Sequence, residues 1–337
     1  ARAADGEITA TGLAAQLMGA ELDVTGTVQP DPEAFSASGD VTASVADLAR
    51  FAEISGQRGL RGSLDLSLTG TSSDGANAFD VTTSLQGRDL ATGIAQLDRL
   101  LGGRLSLDAE AGRTPERIEI TSIDLETQQV SLTASGDGAG GPVNINARLA
   151  NLGLFVPDFS GPLTASGTLR LEGPAAERVT LDIDANGPGG TTAALSGTVV
   201  DYAQTLDLAA SGRLPLALVN PFIEPRALNG TAQYDLRVQG PPALSSVTGT
   251  VTTQGTTVAL PNAGFAIDDL SGTARLGQSR VETDFTAQMR EGGQLSVTGP
   301  VGLTPGFDAG LRIGLAELVL TDGRIYTTTA NGQVTID

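Results

Sequence analysis

The sequence predicts an all-β fold: an elongated, repeated antiparallel β-groove, formed as an open, solenoid-like sheet with an apolar interior and a few short amphipathic helices. Apolar and polar residues alternate with a period of two along most of the chain, which places aliphatic side chains on one face of each strand. Clear examples run from Leu64 to Leu68 and from Val143 to Leu149. Turn-forming residues separate such segments, as at Gly240-Pro241-Pro242. The pattern therefore predicts a long antiparallel meander.

A glycine-led repeat supports this architecture. The pattern Gly-x-apolar-x-apolar recurs at intervals of 41, 64, 63 and 42 residues, all close to multiples of about 21. A unit of about 21 residues accommodates two strands of about eight residues and two turns. The chain is therefore predicted to be a stack of hairpins of nearly constant size. The instances begin at Gly62, Gly103, Gly167, Gly230 and Gly272.

Three segments depart from the alternation and carry apolar residues at helical spacing: residues 45–52, 94–101 and 216–222. Each is long enough for one to three helical turns. Such short amphipathic helices are marginal alone and need a surface on which to dock their apolar side. We expect them to fill gaps along the sheet, and contact with a membrane or a partner is the alternative.

The composition excludes most catalytic chemistry. Among 337 residues, 20 are basic and 39 are acidic, which gives a net charge of −19, and His, Cys, Lys and Trp are absent. Imidazole and thiol catalysis, Schiff-base lysines and P-loop lysines are therefore excluded, and zinc lacks its usual ligands. The acidic charge disfavours nucleic acid, because phosphate-backbone binding depends on basic side chains. We predict no enzymatic activity, no cofactor, no metal and no nucleic-acid partner.

The predicted apolar face is aliphatic. The chain holds 9 Phe and 3 Tyr, so Leu, Val, Ile and Ala provide most of its apolar side chains. This surface offers no hydrogen-bond donors and suits fluid acyl chains better than a ligand that needs polar contacts. The alternative is plain packing of small residues into a narrow sandwich. About 25 strands spaced by about 4.8 Å would, however, form a sheet on the order of 120 Å long, which suits a bridge better than a sandwich.

The predicted lining of this groove consists of alternating aliphatic residues. Each would contribute to holding acyl chains while the polar head stays in water at the open seam. Plain core packing is the alternative role for the same positions. The set comprises Leu64, Leu66, Leu68, Leu105, Leu107, Leu169, Leu171, Leu181, Ile183, Leu206, Leu208, Leu236, Val238, Leu295 and Val297.

The ends of the sequence predict a piece of a longer polypeptide. The first residue is Ala, and the chain stops at Asp337 inside an alternating strand pattern. No apolar run approaches the roughly 18 residues that span a bilayer. We expect residues 1–337 to be one continuous repeated groove fragment, with any membrane anchor outside it.

The C-terminal part of the chain resembles the TamB family, which is related to the AsmA-like bridge proteins. The resemblance rests on residues 291–305, 311–313, 318–326 and 331–336. A second set of matches resembles the repeating groove segment of the family; it comprises residues 195–199, 206–208, 212–216, 220–221 and 228–230. Residues 280–337 are similar to the start of the C-terminal domain of that family.

The resemblance implies a periplasmic protein of diderm bacteria, anchored in the inner membrane by an N-terminal segment that this sequence lacks. It implies an open β-taco whose groove carries phospholipid acyl chains toward the outer membrane. It also implies a contribution to the assembly of outer-membrane proteins and autotransporters. The partner would be an outer-membrane barrel subunit of the TamA type, reached through a terminal region that is absent from the sequence.

Two other classes remain open from the residues alone. The first is a structural β-solenoid, such as an adhesin or autotransporter passenger, with a closed dry core. The second is a polysaccharide-acting β-helix enzyme. The carboxylate pairs Asp182/Asp184 and Asp268/Asp269 are the candidate acids or calcium ligands. The glycine-rich segment 136–141 is predicted to be a turn rather than a phosphate-binding loop, because no helix is expected after it.

Overall fold

The computed structural model is an all-β protein, as predicted. It describes residues 2–4, 7–30, 35–56, 59–74, 77–157, 159–260, 265–303, 306, 308–321 and 327–336. These residues form 22 strands, against about 25 expected from the sequence. The family-like segment 322–326 and residues 304–305 lie outside the described residues.

The first half of the strands comprises β1 (Arg2–Ala4), β2 (Glu7–Leu17), β3 (Ala20–Gln29), β4 (Ser36–Val45), β5 (Leu60–Ser73), β6 (Ala78–Thr92), β7 (Arg104–Arg113), β8 (Ile118–Thr127), β9 (Val130–Ser135), β10 (Val143–Leu149) and β11 (Leu163–Glu172). The second half comprises β12 (Arg178–Asn186), β13 (Thr192–Val200), β14 (Thr205–Pro215), β15 (Ala227–Asn229), β16 (Thr231–Gly240), β17 (Val247–Leu260), β18 (Phe265–Gly277), β19 (Arg280–Met289), β20 (Gln294–Gly302), β21 (Leu311–Thr321) and β22 (Thr327–Ile336).

All three predicted helical segments are confirmed. The first is a 3-10 turn, Leu48–Phe51, that continues into α1 (Ala52–Ser55), and the second is α2 (Ala95–Leu101). The third is a 3-10 turn, Leu216–Val219, that continues into α3 (Asn220–Ile223). Further 3-10 turns within the described residues are Leu152–Leu154, Pro188–Gly190 and Leu244–Ser246.

The chain divides into two compact units. The N-terminal unit contains Ala1–Leu154 and Pro162–Leu181, and the C-terminal unit contains Phe155–Gly161 and Asp182–Asp337. In the N-terminal unit each strand from β1 to β11 pairs antiparallel with the next strand in sequence. No described pairing joins β1 to β11, so the sheet of this unit is open. The predicted meander is therefore confirmed here.

The C-terminal unit follows the same antiparallel order with one departure. Strand β14 pairs directly with β16, while the short β15 pairs with the far end of β17. Two hydrogen bonds hold β15 to the preceding helical segment: the Asn220 side-chain amide donates to Leu228 O (3.1 Å), and Leu228 N donates to Asn220 Oδ1 (2.8 Å). The side chain thus takes the place of a neighbouring strand for this residue.

Few side chains are fully buried. The buried hydrophobic residues of the described chain are Ala134, Val143, Phe159, Ala232, Ile267, Ala287 and Met289. The accessible surface is 19593 Å². A compact monomer of this size would expose about 13,000 Å², and two separate compact halves about 15,000 Å². The fold therefore leaves much more surface accessible than a pair of ordinary closed cores would.

The one tight cluster of buried residues lies in the C-terminal unit. It consists of Ile267, Ala287 and Met289, with Leu270 and Leu295 packed against it. These residues face each other across β18, β19 and β20, because Ile267 is paired with Met289 and Ala287 with Leu295. These contacts form a buried hydrophobic cluster among the described residues.

The glycine-rich segment 136–141 is a turn, as predicted. The Asp137 carboxylate accepts hydrogen bonds from Ala139 N (2.9 Å) and Gly141 N (3.0 Å). These backbone bonds lower the pKa of Asp137 below its usual value. Strand β10, not a helix, follows at Val143, so the segment lacks the helix N-terminus of a phosphate-binding loop.

Asp98 holds the start of α2 in place and predicts an acid-sensitive helix. Its carboxylate accepts hydrogen bonds from Thr92 N (2.6 Å), Thr92 Oγ1 (2.9 Å) and Gly93 N (3.2 Å), which lower the pKa of Asp98. A lowered folded-state pKa adds stability above the unfolded value of 3.8, and this stability is lost as pH falls through the folded-state pKa. Near neutral pH, we expect Asp98→Asn to speed amide exchange at Thr92 and Gly93. In the natural chain, exchange at these amides should also become faster as pH falls below about 4, and we expect the variant to lack this acceleration. Hydrogen–deuterium exchange across this pH range checks both effects, and unchanged exchange in the variant would contradict them.

Candidate functional site

The aliphatic side chains of the N-terminal unit form continuous rows across neighbouring strands. The register places Leu66 opposite Leu85, and Leu85 opposite Leu107. Because directly opposed residues point to the same face of an antiparallel sheet, these positions share one side. We call this side the apolar side. The central row runs through Leu22, Ala43, Leu66, Leu85, Leu107, Leu125, Leu132, Ala147 and Ala165.

The structure brings many of the predicted lining residues together. Leu66 and Leu107 lie in the central row, two strands apart with Leu85 between them. Leu64 and Leu105 lie in the next row, separated by Gly87. Leu68, Leu169 and Leu171 lie on the apolar side in rows further along the strands, with Leu169 opposite Val143 and Leu68 opposite Val41.

The C-terminal unit repeats this arrangement. Leu208 of β14 faces Val238 of β16, and Leu236 faces Ala210. Leu295 and Val297 of β20 face Leu315 and Ile313 of β21. Leu206 stands opposite Val199 on β13. On β12, Leu181 of the N-terminal unit and Ile183 of the C-terminal unit alternate with the exposed Thr180, Asp182 and Asp184.

The predicted lining residues share one property, which is partial burial. All fifteen are half-buried: none is fully buried, and none is freely exposed. In a two-layer sandwich or a closed solenoid, inward aliphatic side chains are covered by a second layer and are mostly fully buried. The side chains of these rows therefore cover one another laterally but remain within reach of a further apolar molecule.

Some aliphatic side chains of β2 and β22 are more exposed than the predicted lining residues. Leu13 and Leu17 of β2 are 65% and 66% exposed, although Leu13 faces Val24 on the apolar side. Val334 and Ile336 of β22 are 49% and 45% exposed. These aliphatic side chains of β2 and β22 are therefore less covered than the predicted lining residues.

Several apolar-side residues are absent from the set predicted from the sequence. Leu85, Leu125 and Leu132 complete the central row. Ile123 and Ile145 lie in the row on its other side from Leu64 and Leu105, each opposite Ala134. The alternation of Ile123 and Leu125 with Asp124 and Glu126 is a signal that could have identified β8. Leu85 follows three polar residues, so its side of the sheet becomes evident only from the register.

The opposite side of the strands is polar and acidic. Its ion pairs are exposed, such as Arg237–Asp207 (3.0 Å) and Arg88–Asp65 (3.9 Å), and pairs of this kind add little stability. Asp108 lies directly opposite Asp124. No group of three or more carboxylates arranged to hold a metal ion occurs among the described residues. This side keeps an extended sheet in solution.

Two hollows of the structure are lined largely by polar-side residues. The larger, about 950 Å³, lies over β6 to β8 and includes Gln86, Arg88, Arg104, Ser106 and Glu126. The smaller, about 430 Å³, lies over β19 to β22 in the C-terminal unit. Neither has the mostly apolar lining with a few convergent polar groups that is typical of small-molecule sites.

The two candidate acid pairs differ in their surroundings. Asp182 and Asp184 are both exposed on β12. Asp268 is bound by Arg290, whose Nη2 and Nε lie 2.6 Å and 3.0 Å from Asp268 Oδ1. This hydrogen bonding lowers the pKa of Asp268 and raises that of Arg290. Asp269 accepts a hydrogen bond from the Ser271 hydroxyl (3.0 Å).

The comparisons with known proteins identify no relative. No family model matches the chain, and neither a curated protein nor a solved structure matches it. The resemblance to the TamB family thus remains a prediction from the sequence. Within the part of the chain that the structure describes, none of the helices has the length and apolar character needed to cross a membrane.

Proposed function

We propose that this chain is a lipid-carrying segment, in which phospholipid acyl chains cover the apolar side of the sheet. The observation that carries the proposal is the half-burial of all fifteen predicted lining residues, together with the scarcity of fully buried side chains. An aliphatic face must be covered by protein or by another apolar material. The half-burial of these rows leaves aliphatic surface for such a covering, and a fluid hydrocarbon supplies it.

The energetics favour acyl chains as the covering material. Each buried CH₂ group contributes about 0.8 kcal/mol, so a tail laid along several rows is held by several kcal/mol. The central row consists of Leu and Ala, whose side chains carry no hydrogen-bond donors. They fix no particular position for a flexible tail, and the headgroup stays in water.

The repetition of the rows favours movement over storage. The central row keeps the same aliphatic character from Leu66 to Leu132, across five successive strands. A tail that moves from one strand to the next exchanges similar contacts, so the free-energy difference between neighbouring positions is small. A conduit requires this property, whereas a storage pocket requires one deep minimum.

The proposed biological setting follows from the resemblance to the TamB family. In this setting the chain belongs to a periplasmic bridge anchored in the inner membrane, which delivers phospholipid for outer-membrane biogenesis. A contribution to the assembly of outer-membrane proteins and autotransporters, with a barrel subunit of the TamA type, belongs to the same proposal. The supporting observations are the quoted sequence matches, the antiparallel open sheet and its aliphatic side.

Lipid extraction tests the proposal directly. The chain is purified without detergent from a diderm host, extracted with organic solvent, and its lipids are identified by mass spectrometry. We expect several phospholipid molecules per chain. A folded chain free of lipid would overturn the proposal and favour a structural β-solenoid whose aliphatic faces are sealed against each other.

A further inference from the structure

One charged side chain interrupts the apolar side of the N-terminal unit. Arg113 continues the alternation of Leu105, Leu107, Ala109 and Ala111 along β7 and therefore lies on the same side. Its paired neighbours are Phe79 on β6 and Ile118 on β8. At the paired apolar-side positions from β3 to β11, every other residue is uncharged. A lone cation in this position calls for an explanation.

The guanidinium of Arg113 lacks a protein partner for one of its donors. Its Nε is buried and has no hydrogen-bond partner, and Arg113 takes part in none of the ion pairs of the described residues. The nearby Glu119 is bound by Arg117, with Nε and Nη2 of that arginine both 2.7 Å from Glu119 Oε1. Glu119 is paired with Gly112 and so lies on the polar side of the sheet, where it does not neutralise Arg113.

A second orphan polar atom lies in the same row. The Ser72 hydroxyl is the other buried side-chain polar atom without a partner among the described residues. Ser72 is opposite Phe79, which is opposite Arg113, so the two orphan groups lie two strands apart, about 10 Å between their Cα atoms. Unpaired buried polar atoms are rare, and two in one row indicate a missing polar ligand.

The position of this row matches the shape of a phospholipid. Arg113 ends β7, and Ser72 is the second-last residue of β5, so the row lies at the rim of the sheet beside two turns. From Arg113 to Leu105 the apolar side extends about 27 Å along β7. The acyl chains of one bilayer leaflet span about 15 Å. A headgroup at the rim therefore leaves room for its tails on the rows behind it.

We propose that Arg113 and Ser72 bind the phosphate of a phospholipid headgroup whose tails lie on the apolar side of β5 to β8. The inference rests on the proposed lipid-carrying function and adds a site that recognises the headgroup. An anionic phosphate accepts charge-assisted hydrogen bonds from guanidinium, and a hydroxyl donates to it as well. Both orphan groups are satisfied in this way, and the rim position keeps the rest of the headgroup in water.

The test compares two lipids with identical acyl chains. The delipidated chain is incubated with mixed vesicles of phosphatidylglycerol and diacylglycerol, separated from them, and its bound lipids are quantified by mass spectrometry. We expect the natural chain to prefer the phospholipid by about tenfold, as one charge-assisted contact allows. We expect Arg113→Gln to abolish this preference while diacylglycerol binding persists. Ser72→Ala should reduce the preference by about threefold, and Arg113→Lys should restore part of it.

A matched control and a second probe make the result decisive. Arg148→Gln makes the same chemical change at an exposed polar-side position of β10 and should leave the preference unchanged. Inorganic phosphate is titrated into the delipidated chain and followed by ³¹P NMR. Phosphate binding that depends on Arg113, combined with a phospholipid preference that does not, would overturn the headgroup site in favour of a free-phosphate site.

The remaining outcomes distinguish a failure of the headgroup site from a failure of the proposed lipid-carrying function. If the natural chain binds both lipids but Arg113→Gln keeps the preference, the headgroup site is wrong and the lipid-carrying function stands. If the natural chain binds neither lipid, the proposed function itself fails, and the headgroup site fails with it. Circular dichroism confirms that each variant keeps its strands before binding is compared.

Discussion

The substitution Leu66→Glu is expected to lower the phospholipid bound to the chain by about tenfold or more. Leu66 lies in the central row and is half-buried, with Leu85 and Ala43 opposite it. A carboxylate here would be covered by acyl chains without a cationic partner, and the free energy of burying an unpaired charge exceeds the gain from a few CH₂ groups. Quantitative lipid extraction measures the loss.

The neighbouring residue provides the control for this experiment. Ser67 follows Leu66 on β5, is exposed on the polar side and is paired with Thr42 and Ser84. Ser67→Glu introduces the same charge one residue away and should leave the lipid content unchanged. Equal lipid content in the two folded variants would contradict the assignment of the apolar side as the lipid-covered one.

Met289→Ala is expected to destabilise the chain by about 3 kcal/mol, whereas Leu107→Ala costs about 1 kcal/mol after lipid removal. Met289 is 7% exposed and belongs to the buried cluster with Ile267 and Ala287. Truncation there removes buried methylenes and leaves a cavity. Leu107 is half-buried, so its truncation forfeits less transfer free energy and encloses no cavity.

Urea unfolding of the delipidated variants is monitored by hydrogen exchange of β19 and of β7. This measures the loss of stability of each variant separately. Exchange is used because a chain with two units does not unfold in a single step. A loss of about 3 kcal/mol for both variants would indicate that the apolar side is sealed within the protein. That result would favour the structural β-solenoid over a lipid-carrying groove.

Where apolar and polar residues alternate clearly, as along β7, the sequence was sufficient to predict the strand and its apolar side, because a strand has a strict period of two. Leu105 and Leu107 are on the apolar side, and the helical spacing of residues 94–101 became α2. Register was not predictable in the same way, because it depends on turns and bulges. The irregular pairing between Thr253 and Val258, which buries the Thr256 side chain completely, has no counterpart in the alternation.

The sequence also could not predict whether protein covers the candidate site. Whether an aliphatic face is sealed depends on a second layer of structure, and the same alternation occurs in sandwiches and in open sheets. The alternation along β7 already places Arg113 on the same side as aliphatic residues. Only the structure shows that its Nε and the Ser72 hydroxyl lack hydrogen-bond partners. The proposed headgroup site therefore depends on knowing which buried polar atoms lack hydrogen-bond partners, and this requires the three-dimensional structure.

The strictly sequential pairing of the N-terminal unit has a consequence for how the chain folds. Each strand from β2 to β11 needs only the strand before it as a partner, so every hairpin closes over a short stretch of chain. Such local pairing has a low entropic cost of loop closure and favours rapid folding. A chain delivered N-terminus first can therefore add strands in the order in which they emerge, with no strand waiting for a distant partner.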